Sequence, residues 1–273
     1  MSDHASQDAG FSGSIPEIYD RCLGPLLFEP YAADLAQRAA RLRPGRILET
    51  AAGTGIVTAA IAKALPAADI IATDLNQAML DVAARRVASS KVRFQAADAQ
   101  SLPFADGAFD LVLCQYGVMF FPNRLAAYRE AGRVLKPGGQ FLFNVWAALD
   151  GNPIARIVEE AVATLFPDDP PRFLSRTPYG YGDAATIADD LAAAGFADVG
   201  IETVILPSRA ASARQAATGF AHGSPLRTEI AARDPSLLEQ AAERATSALE
   251  AEYGAGPIEA AMTANVALAR KPE

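Results

Sequence analysis

Apolar positions recur at helical spacing over residues 15–42, with breaks at Gly24-Pro25 and at Pro30. Within that span "PYAADLAQRAARL" predicts a helix that Pro44-Gly45 ends. The short run "RILET" reads as a buried strand, and "GIVTAAIAKAL" as a mostly apolar helix stopped by Pro66. "DIIATD" is a second strand closing on an acid. The helix in "LNQAMLDVAARRVASS" carries an apolar stripe at Leu80, Ala83, Ala84 and Val87, with Asn76 as its expected N-cap. "KVRFQAAD" is a third strand, again closing on an acid, and "FDLVLCQY" a fourth. Asn123 caps "RLAAYREAGRVLK", "PGG" breaks that helix, and "QFLFNVWA" is a fifth strand.

Strands alternating with helices in this way predict an α/β fold with a doubly wound, mostly parallel sheet. Right-handed crossovers place helices on both faces, and the strands are expected to be apolar on both sides. Beyond Asp150 the pattern changes. "LFPDDPPRFLSRTPYGYGD" concentrates Pro and Gly and reads as loop or lid. "TIADDLAAAGFADVGIETVILP" reads as helix, Gly-Phe turn and strand. "SARQAATGFAHGSPLRTEI" and "LLEQAAERATSALEAEYG" look helical, and "IEAAMTANVALARK" is a final strand. The two late strands would bring the sheet to seven, with an antiparallel C-terminal strand and helical lid insertions.

Composition narrows the partners. The chain of 273 residues is 51% hydrophobic and 21% charged, as in a globular enzyme. Its net charge is -8, and no run of Lys and Arg interrupts it. Nucleic acid and anionic membranes need a concentrated cationic patch, so neither is expected as a partner. A homo-oligomer is compatible with the sequence. Two cysteines, Cys22 and Cys114, make no disulfide scaffold and point to a reduced, cytoplasmic setting. Two histidines and two cysteines, badly spaced, argue against a metal site. The N-terminal "MSDHASQDAGFSGS" lacks the apolar core of a signal peptide and is expected to fray.

Ligands of open α/β sheets bind beyond the carboxyl ends of the strands. Those ends carry Glu49 with the "AAGTG" turn, then Asp74, Asp98 and Gln115-Tyr116. Gly53 and Gly55 let backbone approach a ligand closely. Asp74, about twenty residues past the turn, has the placement of a ribose acceptor. Asp98 could accept from an exocyclic amine such as that of adenine. Taken singly these residues have plainer readings, as turn glycines, a helix-start acid and a loop carboxylate; together they suggest an adenosine ligand. A dinucleotide fits less well. From Gly53 the chain reads "GTGIVT", with Thr58 where a third glycine belongs. Glu49 would also crowd a pyrophosphate but suits a cationic ligand. Ala51 is expected to keep φ below zero.

The stretches "ILETAAGTG", "ATDLNQAML", "AADAQSLPFADGAFDLVLCQYGVMFFPN" and "EAGRVLKPGG", in this order, resemble the class I S-adenosylmethionine-dependent methyltransferases. The nearest branch is the small-molecule group that includes ubiquinone/menaquinone-type enzymes. The resemblance covers residues 15–147, and "LAAAGFADVGIE" more weakly. It implies S-adenosylmethionine as cofactor. Glu49 then takes the place of the acid that orients the methionine end, usually Asp in that family. Ala51, Gly53 and Gly55 form the loop against the methionine and ribose. Asp74 accepts from the ribose, and Leu75 and Met79 pack on adenine. Asp98 and the Ala99 N–H read the adenine edge, and Gln115 lies near the cofactor's amino group. Tyr19, in a segment resembling the covering helix, is a further contact.

The resemblance divides the chain into a flexible tail (1–14) and one methyltransferase domain (15–273). Within the domain, 15–44 would cover the cofactor, 45–150 bind it, and 151–185 and 208–257 form a substrate lid. Phe166, Phe173, Tyr179, Tyr181 and Phe220 hint at a small apolar or aromatic acceptor. Tyr19, Tyr116 and His222 are the candidate bases, if one is needed. Two other readings stay open: a nicotinamide-dependent oxidoreductase, and a non-catalytic S-adenosylmethionine-binding protein.

Overall fold

The computed structural model describes residues 15–273; the N-terminal stretch expected to fray, His4 included, lies outside the described residues. The first helical run is α1 (Ile15–Ile18), a stretch of wider π-type turns (Tyr19–Phe28) and α2 (Glu29–Leu42). The expected breaks at Gly24-Pro25 and Pro30 do not occur. Pro25 cannot donate to the turn before it, and the wider turns absorb that loss: the Glu29 N–H reaches Gly24 O, five residues back. Pro30 falls in the first turn of α2, where proline is tolerated.

The chain continues through β1 (Arg46–Glu49), α3 (Ile56–Ala64), β2 (Asp69–Asp74), α4 (Gln77–Arg86) and β3 (Val92–Ala96). It then forms β4 (Phe109–Gln115), α5 (Arg124–Val134) and β5 (Leu135–Trp146). The later elements are α6 (Pro153–Ala163), α7 (Phe173–Arg176), α8 (Ala184–Ala193), β6 (Ala197–Ala210), α9 (Ala213–His222), α10 (Leu226–Arg233), α11 (Leu238–Tyr253) and β7 (Ile258–Arg270). Helix α6 is an addition to the elements expected from the sequence. Its Ile154, Val158 and Val162 are buried at helical spacing, between Pro- and Gly-rich flanks that read as loop.

These elements make two units. One comprises residues 31–146, 181–204 and 264–273 and contains β1 to β5 with residues 197–204 of β6 and 264–270 of β7; the other comprises 15–30, 147–180 and 205–263. The sheet has seven strands in the order β3-β2-β1-β4-β5-β7-β6. Strands β1 to β5 pair in parallel and β7 runs antiparallel to β5, as expected. The order reverses between β1 and β4, so the switch point lies at their carboxyl ends. Ile47, Leu48, Ile70, Val112, Leu113 and Phe143 are buried in the middle of the sheet. β3 departs from the expectation of strands buried on both faces: it is the sheet edge, and none of its residues is buried.

In the other unit the π-type stretch packs on α9, and α9 and α6 both pack on α11. Gly219 permits the first contact, since a β-carbon there would stand 2.6 Å from Leu23 Cδ2 and 3.0 Å from Cys22 Cβ. The Ser208 hydroxyl donates to Leu26 O at 2.9 Å. Asn152 clasps Thr263 through both its amide groups, at 3.1 and 3.0 Å. Phe166, Phe173, Tyr179 and Phe220 are buried in this unit, and Tyr181 in the sheet unit. Among the described residues no helix is long and apolar enough to cross a membrane.

Candidate active site at the carboxyl ends of β1, β2 and β4

Glu49 ends β1, and residues 50–55 turn the chain into α3. This turn is tied on both sides. The Thr50 N–H donates to Leu113 O and the Ala52 N–H to Thr73 O, each at 2.9 Å. The Gly53 N–H donates to Asp74 Oδ2 at 2.9 Å, and the Gly55 N–H to Ala52 O at 3.0 Å. Gly53 and Gly55 adopt φ of 55° and 77°. Ala51 does as well, with φ 52°, which overturns the expectation of a negative value. The left-handed conformation costs an alanine about 1–2 kcal/mol. The bonds made by residues 50, 52 and 53 anchor the turn on either side of residue 51. The space for its methyl comes from Gly117, where a β-carbon would stand 2.5 Å from Ala51 Cβ and 2.6 Å from Cys114 Sγ. Gly55 has a steric reason of its own: a β-carbon there would lie 2.8 Å from Ala83 Cβ on α4.

The Glu49 side chain is 1% exposed. Its Oε2 accepts a 2.7 Å hydrogen bond from the Thr58 hydroxyl, which comes from the first turn of α3. Burial pushes the carboxyl up to about 8; the Thr58 bond works against that rise and the nearby Asp74 adds to it. Asp74, at the end of β2, is 8% exposed and accepts from the N–H groups of Gly53 (2.9 Å) and Asn76 (2.8 Å). Burial raises its pKa although these bonds oppose the shift. Asn76 sits at the N-cap of α4 but makes no side-chain cap; its side chain bonds Asp74 instead.

Met79 is buried beneath the turn, its Cε 3.7 Å from where a Gly53 β-carbon would lie. Leu75 is 64% exposed. Asp98 is exposed and closes a tight turn by accepting from the Gln100 N–H at 2.8 Å; Ala99 is half-buried within that turn. Gln115 is the last residue of β4 and half-buried. The Cys114 thiol before it is buried and pushed up to about 12 by burial. Tyr116 is 6% exposed, has φ 52°, and stacks on Trp146 with centroids 3.8 Å apart.

The other two candidate bases belong to the second unit. Tyr19 stacks on Phe28 at 4.7 Å, and His222 Nε2 lies 3.6 Å from Glu239 Oε1. Two further residues, Thr58 and Thr54, belong to the site. In the sequence Thr58 signals only an obstacle to a dinucleotide. Thr54 carries a buried hydroxyl with no hydrogen-bond partner among the described residues; its place between Gly53 and Gly55 is the signal that could have drawn attention. No group of three or more potential metal-ligating residues clusters among the described residues.

Residues 48–143 match a family described as a methyltransferase domain. The ubiquinone/menaquinone biosynthesis C-methyltransferase UbiE of Methylobacterium nodulans is 36% identical over 128 residues, which is 45% of this chain and 51% of the relative. The chain thus spans about half the length of that relative. The demethylmenaquinone methyltransferase of Lactobacillus johnsonii is 30% identical over 166 residues, 56% of this chain and 68% of the relative. The chain belongs to the class I S-adenosylmethionine-dependent methyltransferases. A Haemonchus contortus phosphoethanolamine N-methyltransferase 2, solved with phosphomonomethylethanolamine and S-adenosylhomocysteine, shares this methyltransferase fold. It has a TM-score of 0.63 at 17% identity, over 98% of this chain and 60% of that one.

The residues present fit the cofactor of this methyltransferase family. S-adenosylmethionine brings a cationic amino-acid end, two vicinal ribose hydroxyls and an adenine ring. The switch point offers two buried carboxyls, a turn whose backbone lacks β-carbons at 53 and 55, and an exposed leucine. No basic side chain among the described residues acts on Glu49. Thr58, bonded to the buried Glu49 carboxyl, stands where a dinucleotide-binding turn carries its third glycine.

Proposed function

We propose that this chain moves a methyl group from S-adenosylmethionine to a small apolar acceptor. The observation that carries the reading is the pair of buried carboxyls, Glu49 and Asp74, on either side of the glycine turn. In this reading Glu49 meets the amino-acid end of the cofactor. Asp74 accepts from the ribose hydroxyls while it keeps Gly53 and Asn76, since a carboxylate has about four acceptor sites. The backbone at Ala51, Gly53 and Gly55 lies against methionine and ribose. Leu75 and Met79 bracket the adenine, Asp98 and the Ala99 N–H bond its edge, and Gln115 closes the amino end.

When bound, the sulfonium supplies an already activated methyl group. The protein's share is then to position the acceptor and exclude water. No general base is assigned. The Tyr116 ring is buried against Trp146, and Tyr19 and His222 make local contacts within the second unit.

The names of the relatives, which refer to ubiquinone and menaquinone, support an aromatic ring as acceptor. The buried aromatic side chains of the chain are accounted for by packing and add nothing to this. Two buried free thiols, Cys22 and Cys114, support a reduced cytoplasmic setting.

A thermal-shift series tests the reading. S-adenosylmethionine and S-adenosylhomocysteine should each raise the Tm by mass action, and NADH should leave it unchanged. A shift with NADH alone would overturn the assignment. Transfer of labelled methyl to a hydroxylated aromatic ring, against an aliphatic amine as control, tests the acceptor class.

A further inference from the structure

The Thr58–Glu49 pair has a geometry that cofactor binding by a plain carboxylate does not require. Thr58 is fully buried, Glu49 nearly so, and one 2.7 Å bond joins them. The groups that face the carboxyl are Asp74 from β2, the Cys114 thiol from β4 and the Thr58 hydroxyl from α3. Among the described residues none of these is basic, and the ionic neighbour is another acid. A charged carboxylate there would be desolvated, given one hydroxyl, and repelled by Asp74. The neutral acid escapes the repulsion and the much larger desolvation cost of a charge. A cation delivered to the same place reverses the balance, because it supplies the missing counter-charge.

We propose that burial beside Asp74 keeps Glu49 a neutral acid while Thr58, a positioning residue, fixes its Oε2, and that a cationic cofactor end, on arrival, sends the Glu49 proton to solvent. This rests on the reading that Glu49 meets the amino-acid end of S-adenosylmethionine. The proton leaves the carboxyl oxygen for water or buffer. The Thr58 O–H remains a donor to Oε2, and no bond in the ligand changes. With the carboxyl held near 8, affinity should rise with pH up to about pH 8, by at most about tenfold per unit, and stop rising where the ligand's own α-amino group, ordinarily with a pKa of about 7.7–8.0, loses its charge.

Calorimetry of the full chain with S-adenosylmethionine, near neutral pH in two buffers of different protonation enthalpy, counts the proton. The wild type should release about one proton more than Glu49→Gln. Thr58→Val removes a bond that favours the charged form, so its rise in affinity should move to higher pH; Thr58→Ser should restore the wild-type profile. Saturable binding by the wild type with the same heat in both buffers would overturn the inference and leave the cofactor reading intact. So would an equal proton count in a folded Glu49→Gln variant. Failure of the folded wild type to bind S-adenosylmethionine would instead overturn the reading beneath it.

Discussion

Ala51 and Gly117 share one small volume at the ends of β1 and β4, and each restricts the other. Ala51→Gly removes the left-handed penalty of about 1–2 kcal/mol but adds freedom to the unfolded chain worth about 0.4–1 kcal/mol. A net gain between about 0 and 1.6 kcal/mol is expected, read as a small rise in Tm. Glu49 yields a prediction with a defined pH window. Its folded-state value, about 8, lies above its ordinary value of 4.5. Its contribution to stability is therefore fully present below about pH 4.5 and lost as pH rises through about 8. Denaturant melts should show the wild type losing stability relative to Glu49→Gln across that window, by on the order of a few kcal/mol, and running parallel to it above. A constant difference at every pH would mean that Glu49 does not titrate there.

The two asparagines placed before helices separate capping from look-alike positions. Asn123 Oδ1 accepts from the Ala126 N–H at 3.0 Å, whereas Asn76 caps nothing and bonds Asp74. Asn123→Ala should cost about 1 kcal/mol without altering cofactor affinity. Asn76→Ala should weaken cofactor binding more than it lowers stability, as paired melts and titrations would show. The same contrast explains what could be read in advance. The five βα units were legible because apolar runs bounded by Pro, Gly and Asn are local signals. The strand-end acids followed, since a parallel sheet sends every strand's carboxyl end the same way. The exposure of β3 was not legible, because strand order decides which strand becomes the edge. Nor was the φ of Ala51, which depends on Leu113, Thr73 and Gly117, distant in sequence. Thr58 was noticed for its bulk, but its partner Glu49 lies nine residues away and is reached only through the fold.

For the molecule as a whole, each unit draws on three separate stretches of chain, so neither can be cut out as one piece. β5 finds its antiparallel neighbour only near the C-terminus, with residues 140–146 paired to 264–270. A chain ended at 150 would leave that edge of the sheet unpaired, an invitation to association. Size-exclusion chromatography should show it aggregated under conditions in which the full chain is not; a well-behaved, folded fragment would show that β7 is dispensable. The whole chain contains one tryptophan, Trp146. It lies face to face with Tyr116, the residue after Gln115, and Tyr31 meets both rings edge-on at 5.7 and 5.6 Å. Indole emission therefore reports a single place, at the carboxyl ends of β4 and β5. The protein carries its own optical probe, whose brightness and colour should follow any ligand that disturbs that stack, without a label or an added dye.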